Sequence, residues 1–253
     1  MIAKPSVVLL ILEYDGGGYC GSQLQRNRPT IQGELEKAIA SLTGKTERVK
    51  LASRTDAGVH ALGQVAKLQI VTNLSLKKII DGLNHYLPKD IAVRKAYGLQ
   101  KDIDVRHKAI SRRYFYRIIN SPTRSPINKH YAYHLRETLD VTKMNRAALE
   151  LIGKKDFASF TSGPEAKVKS TVREVTQAEF KRDGQSIIFY IQANAFLPHQ
   201  VRNTVGALLR VGMDKMNLEE FKAIIETRKV GLAGPAVPPQ GLYLESIKYK
   251  EQF

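Results

Sequence analysis

The chain has 253 residues, of which 43% are hydrophobic and 25% charged, enough for one large domain or two smaller ones with cores of their own. Lysine and arginine number 40 against 24 acidic residues, and the resulting formal charge of +16 favours a polyanionic partner, nucleic acid first. The single cysteine excludes an internal disulfide and fits a reducing, cytoplasmic compartment. No apolar run approaches the ~20 residues of a membrane span, and the apolar N-terminal run is predicted to be a buried strand and not a signal peptide.

Hydrophobic periodicity and capping residues predict a similar order of elements in each half of the chain. The predicted strands are Val7–Tyr14, Gln64–Thr72, Ile91–Tyr97, Tyr114–Ile119, Val172–Phe180, Ser186–Gln192 and Leu242–Tyr249. The predicted helices are Thr30–Leu42, one from Ser75 to before Pro88, one that opens at Asp140 and includes Leu151 and Ile152, Val201–Met213, and one that opens at a capping box of Asn217 and Glu220. Surface loops are predicted over Asn120–Lys129 and Ser162–Ser170.

This order of elements predicts an α+β fold. It favours two tandem domains, 1–105 and 106–253, each a mostly antiparallel sheet with helices on one face, with a cleft between them.

Three features resemble functional sites but have simpler explanations. Gly16–Gly21 fits the pattern G-x-G-x-x-G, yet Pro29 comes before any helical period, so a flexible turn is favoured over a dinucleotide site. His130 and His134 have a zinc-like spacing in a strand-like stretch without a cysteine pair, which argues against a metal. Cys20 has no evident histidine partner, so a thiol nucleophile is not expected.

The stretch Arg54-Thr55-Asp56 is the strongest candidate for chemistry. A carboxylate beside a guanidinium is held ionised, and it can then act as a nucleophile or a base. Ala57 and Gly58 leave room for a substrate to approach the backbone. The alternative is a structural ion pair in a loop at a strand end, which the spacing alone does not exclude.

Two further stretches suit RNA. The stretch Ser111–Arg117 interleaves arginines with aromatic residues, and in a strand Tyr114 and Tyr116 share one face while Phe115 points to the other. Arginines bind phosphates, and an aromatic ring can stack on a displaced base. Arg202 lies near a predicted helix start, where the helix dipole does not favour a cation, so it is expected to serve an acid or a phosphate instead.

Seven stretches, in this order along nearly the whole chain, resemble the tRNA pseudouridine synthase A family. They are EYDGGGYCGSQLQ, SRTDAGVHALGQV, LPKDIAV, DVRHKAISRRYFYRI, DFASF, ANAFLPHQVRNTVGALL and GLYL. The resemblance implies a two-domain α+β fold with a positively charged cleft that isomerises uridine to pseudouridine at positions 38, 39 and 40 of the tRNA anticodon stem-loop. It also implies a homodimer that grips tRNA across both subunits, with no cofactor and no metal.

The resemblance implies a role for each candidate residue. Asp56 matches the essential aspartate, and Arg54 matches an arginine linked to base flipping. Tyr114 matches the tyrosine that contacts the flipped base, Arg202 the arginine that pairs with the aspartate, and Leu242 the apolar residue against the uracil. The chain departs from the family at Ser22, where tryptophan is frequent, and at His107, where phenylalanine is common, and both departures bear on the contacts to RNA.

Two other functions remain open on the sequence. One is a tRNA-binding protein of the same fold without catalysis. The other is a carboxylate-based hydrolase, which normally needs two acids at the bond it cleaves, and Asp15 is the only other acid in a motif near Asp56. For the synthase, attack by Asp56 at C1′, attack at C6 of the base, and elimination through a glycal are all compatible with the sequence.

Overall fold

The structure, a computed structural model, describes residues 5–161 and 170–250. Within them the strands are β1 (Pro5–Tyr14), β2 (Lys50–Leu51), β3 (His60–Val71), β4 (Ile91–Leu99), β5 (Ala109–Asn120), β6 (Tyr133–Leu135), β7 (Gly153–Asp156), β8 (Val172–Asp183), β9 (Ser186–Ala193) and β10 (Leu242–Tyr249). The helices are α1 (Ile31–Thr43), α2 (Leu76–Tyr86), α3 (Val141–Leu149), α4 (Gln200–Gly212) and α5 (Leu218–Thr227). None of these helices is long and apolar enough to cross a bilayer.

The chain divides into two compact units. The first runs to Ile110 and also takes in the chain from Tyr243 onward, and the second is Ser111–Leu242. The predicted division into domains at residues 105 and 106 remains a prediction. The compact units differ from it in the placement of the last strand, which the sequence assigns to the C-terminal half.

The sheet of the first unit has the strand order β4-β1-β3-β10, with β2 paired to β3. The central strand β1 is antiparallel to both β3 and β4, and its residues Leu9, Leu10 and Leu12 are fully buried. Strand β10 runs parallel to β3, with Tyr243 opposite His60. This pairing places the last strand of the chain beside the start of β3.

The second unit orders its strands β5-β9-β8-β7, with short β6 parallel to β5. The hairpin of β8 and β9 forms at the predicted turn, where Gly184 has a φ of 55° that favours glycine. The largest fully buried side chains of this unit are aromatic: Tyr116, Phe157, Phe160, Phe189 and Phe221.

The α+β class and the mostly antiparallel pairing are confirmed. Helix starts also agree, because Thr30, Ser75, Asp140 and Asn217 each cap a helix through a side chain that accepts a backbone N–H.

The prediction for α3 is wrong at its end. The helix stops at Leu149. Leu151 is buried but lies in the turn that follows the helix, and Ile152 is 36% exposed. The chain reverses there through Gly153, whose φ of 100° no helix accommodates. The loop predicted over Ser162–Ser170 lies outside the described residues up to residue 169.

Candidate active site

Arg54 and Asp56 lie on the short loop that joins β2 to β3. Arg54 is exposed, Thr55 is buried, and Asp56 is half-buried. The loop closes in a tight turn, in which the Val59 N–H donates to the Asp56 carbonyl at 3.2 Å and Gly58 has a φ of 77°. A residue with a side chain would be strained at Gly58, so the glycine allows the loop to turn directly after Asp56.

Thr55 anchors the loop between the two candidate residues. Its N–H donates to the Ser22 hydroxyl at 2.9 Å, and its carbonyl accepts from the Ser22 N–H at 3.0 Å. Its own hydroxyl is bonded to the Tyr14 hydroxyl at 2.8 Å. The buried Thr55 therefore lies between two more accessible side chains, since Arg54 is exposed and Asp56 is half-buried.

A second contact holds the loop one residue before Arg54. The Gln64 side chain donates to the Ser53 carbonyl at 2.8 Å and accepts from the Ser53 N–H at 3.2 Å. The same amide reaches the Tyr14 hydroxyl at 3.3 Å. Burial raises the pKa of Tyr14 to about 12, so its hydroxyl stays neutral at physiological pH. Buried polar groups on both sides of Arg54 therefore fix the course of the loop.

The glycines after β1 form the surface on which this loop lies. A Cβ on Gly16 would come within 2.0 Å of the Val59 carbonyl oxygen. Gly21 has a φ of 99°, and a Cβ there would lie 2.9 Å from the Thr55 carbonyl oxygen. The Gly58 N–H also donates to the Tyr19 carbonyl at 3.3 Å. The glycine-rich stretch is therefore a rigid support for the loop and not the flexible turn expected from sequence.

The departures at Ser22 and His107 have different surroundings. Ser22 is fully buried beneath the loop, so in this structure it positions Thr55 and presents no side chain to solvent. His107 is exposed, and its Nδ1 lies 2.9 Å from the Asp104 carboxylate, a contact that helps to hold the pKa of Asp104 well below its usual range.

Asp15, the candidate second acid for a hydrolase, is engaged locally. Its Oδ1 accepts the Gly17 N–H at 2.8 Å and lies 3.0 Å from Nδ1 of His60. His60 is 2% exposed and stacks on Tyr243 with ring centroids 4.7 Å apart. Asp15 therefore supports the end of the loop, which weakens the case for a hydrolase with Asp15 as its second acid.

The second unit carries the other three candidates. Tyr114 is on β5, is 6% exposed, and meets Phe196 edge-on at 5.2 Å between ring centroids. Burial alternates along β5, so Tyr114 and Tyr116 share the buried face and Phe115 lies on the other, as the sequence predicts.

Arg202 and Leu242 are linked through residues 237–242. Arg202, in the first turn of α4, donates from Nε to the Val237 carbonyl at 2.8 Å. The Tyr116 hydroxyl donates to the Pro238 carbonyl at 2.7 Å, and burial raises the pKa of Tyr116. A 3-10 turn, Pro239–Gly241, then leads into Leu242, which is 5% exposed. A Cβ on Gly241 would lie 2.7 Å from the Tyr116 ring, so this segment packs closely on β5.

The sequence thus predicts Arg54, Asp56 and their loop, but not the supporting role of the residues that hold it. Tyr14, Ser22 and Gln64 make the buried hydrogen bonds, and Gly16 and Gly21 allow the close approach. The signal available was the run of glycines directly after a strand, since glycine there often marks a close approach of two backbones.

Comparison with known proteins identifies the family. The family model described as tRNA pseudouridine synthase matches residues 10–108 and 147–250. The chain belongs to the tRNA pseudouridine synthase family. The matched ranges contain Arg54, Asp56, Arg202 and Leu242, whereas Tyr114 falls in the unmatched segment 109–146.

Individual family members are similar over almost their whole length. The tRNA pseudouridine synthase A of Acetivibrio thermocellus is 40% identical over 242 residues, which cover 96% of this chain and 99% of that protein. The tRNA pseudouridine synthase A of Roseiflexus castenholzii is 41% identical over 250 residues, with 96% and 91% covered. These relatives confirm the resemblance on which the expectations about Asp56 and its neighbours depend.

Proposed function

We propose that this member of the family isomerises uridine to pseudouridine at positions 38, 39 and 40 of the tRNA anticodon stem-loop. We further propose that it acts in the cytoplasm as a homodimer, without a cofactor or metal. The observation that carries the proposal is the anchored loop, which buries Thr55 and leaves Asp56 half-buried beside the exposed Arg54. The net charge of +16 supplies attraction to the RNA backbone that does not depend on base sequence.

The reaction exchanges one bond to the ribose for another. The N1–C1′ glycosidic bond breaks, the uracil turns, and a C5–C1′ bond forms, while C5 gives up its proton and N1 gains one. The target base must first leave the stack, which costs a few kcal/mol and is repaid by contacts in the pocket. Arg54 is the proposed residue that assists flipping.

Asp56 is the proposed catalytic group. It either attacks the nucleotide or removes a ribose proton, and a loop held on both sides of Arg54 keeps the carboxylate in place for that step. Tyr114, Arg202 and Leu242 are the proposed contacts to the substrate. A tyrosine ring and a leucine against the detached uracil would let it turn without escaping.

The test is tritium release from tRNA labelled at C5 of uridine, since C5 loses its hydrogen when it bonds to C1′. We expect release by the wild type and a loss of at least ~10³-fold in Asp56→Ala, with tRNA affinity kept within several-fold. Asp81→Ala removes an exposed acid from α2 and should release tritium at the wild-type rate.

Two results would contradict the proposal. If the wild-type protein bound tRNA but released no tritium, it would be a tRNA-binding protein without catalysis. If it released free uracil, it would be a hydrolase.

A further inference from the structure

The second unit contains a cavity of about 470 Å³ that no candidate residue lines. This volume lies within the range of ~300–1,000 Å³ typical of sites for small organic ligands. It is lined by Ile119, Arg124, Ser125, Pro126, Asn128, Lys129, Ala132, Tyr133, His134, Pro238 and Gln240. Most of these residues lie in the segment 109–146 that the family model does not match, and none of them belongs to the stretches that carry the family resemblance.

The charge of the cavity suits an anion. Arg124 and Lys129 are both exposed, and within the described residues neither forms an ion pair with a carboxylate. No acidic residue of the described chain is among those that line the cavity. Two cations without a counter-charge attract a phosphate, and the arginine can bind it through two N–H groups at once.

The remaining lining suits a nucleobase. Tyr133 is half-buried, so its ring is partly fixed and partly accessible, and a base can stack on such a ring. Pro126, Ala132 and Pro238 supply apolar surface. Asn128 and Gln240 supply amides that can donate and accept hydrogen bonds, as the edge of a base requires.

The cavity shares a segment of chain with the proposed contacts to the uracil. Pro238 lines the cavity, and its carbonyl accepts a hydrogen bond from the Tyr116 hydroxyl. The carbonyl of the preceding residue, Val237, accepts a hydrogen bond from Nε of Arg202. Gln240, which also lines the cavity, is two residues before Leu242. A ligand in the cavity would therefore contact the segment that holds Arg202 and Leu242.

We propose that this cavity binds a second nucleotide of the RNA, close to the one whose base is isomerised. Its phosphate contacts Arg124 and Lys129, and its base lies against Tyr133. The proposal rests on the proposed function for the identity of the RNA. It adds a subsite that would select or align the stem-loop through a nucleotide that does not react.

The experiment measures equilibrium affinities in an Asp56→Ala background, so that no turnover is required. The probes are anticodon stem-loop RNAs, each with one abasic residue at a position flanking the target uridine. We expect one position at which loss of the base weakens binding about tenfold, as expected for loss of one stacked base. In Tyr133→Leu that same abasic residue should cost less than twofold, because the stacking partner is already absent.

The phosphate contact has its own measurement and control. In Arg124→Ala/Lys129→Ala the slope of log affinity against log salt should fall by about 1, because both cations contact the same phosphate. Lys154→Ala/Lys229→Ala removes two exposed cations of the same unit, one of them on β7, at the opposite end of the strand order from β5 and β6. This control should leave both the salt slope and the abasic effect unchanged.

Each contrary result overturns the subsite. Equal abasic penalties with and without Tyr133 would mean that no base lies against this ring. An equal fall in salt slope in the control pair would make Arg124 and Lys129 general contacts to the backbone. A different outcome would overturn the proposed function and leave the subsite standing. The wild type would release no tritium, while the abasic penalty would still depend on Tyr133 and the salt slope on Arg124 and Lys129.

Discussion

At the scale of single residues, the candidate site depends on a buried threonine. Thr55 lies between the two functional candidates and is held through its N–H, its carbonyl and its hydroxyl. The loop at Arg54 and Asp56 is held in place because the residue between them is buried and its polar groups are satisfied. The position of the loop at Asp56 therefore depends on Ser22 and Tyr14, which are both buried.

Ser22→Ala tests this positioning. It removes the acceptor of the Thr55 N–H, and a buried donor left unpaired costs about 1–3 kcal/mol. We expect the free energy of unfolding to fall by that amount and kcat to fall at least tenfold, with KM nearly unchanged. Chemical denaturation and steady-state kinetics on tRNA provide the two measurements.

The split between kcat and KM separates positioning from simple stability. Ser41→Ala, at an exposed position of α1, is the matched control and should change neither quantity. A Ser22→Ala protein that loses stability but keeps its kcat would show that the loop holds its geometry without this hydroxyl.

At the scale of elements, the glycine-rich stretch after β1 and the loop before β3 form one unit of structure. Their backbones approach so closely at Gly16 and Gly21 that a side chain at either position would meet the backbone of the loop. Gly18, in the same run, has nothing within 4 Å of a Cβ placed on it. The run of glycines therefore contains both required and replaceable positions.

Gly16→Ala and Gly18→Ala form a matched pair. The added methyl at residue 16 would overlap the Val59 carbonyl, so the loop must move. Because a displacement of about 1 Å at a catalytic group can cost ~10²-fold in rate, we expect kcat/KM to fall by roughly that factor. Gly18→Ala should keep the wild-type rate. Equal activity in the two variants would mean that the loop position is not critical for catalysis.

The sequence predicts elements where the cause is local and misses relations between distant residues. Thr30, Ser75, Asp140 and Asn217 reveal their helices because a cap acts within one turn. The fit of Gly16 against Val59 joins residues 43 positions apart, and no periodicity records it. The candidate residues Arg54 and Asp56 can be predicted from sequence because their motif is contiguous. The residues that hold their loop are scattered over β1, β3 and the stretch between β1 and α1.

At the scale of the whole molecule, the end of the chain supports a loop near its beginning. Strand β10 returns to pair with β3, and Tyr243 stacks on His60 directly after the loop. On the other side, the buried Tyr14 of β1 contacts Thr55 within the loop. The stability of the first unit and the geometry of its loop therefore depend on the same buried groups, which couples folding to function.

Stability at alkaline pH tests that coupling through Tyr14. Its pKa is raised to about 12 in the folded protein from 10 in the unfolded chain, so between these values the folded state keeps a proton that the unfolded state loses. The free energy of unfolding should consequently fall by about 1.4 kcal/mol per pH unit from this residue alone. Denaturation at a series of pH values should give Tyr14→Phe a slope that is shallower by that amount.

Tyr86→Phe, which removes an exposed hydroxyl from α2, should keep the wild-type slope. If Tyr14→Phe also kept it, the Tyr14 hydroxyl would be open to water and could not be the fixed partner of Thr55, and the loop would need another anchor.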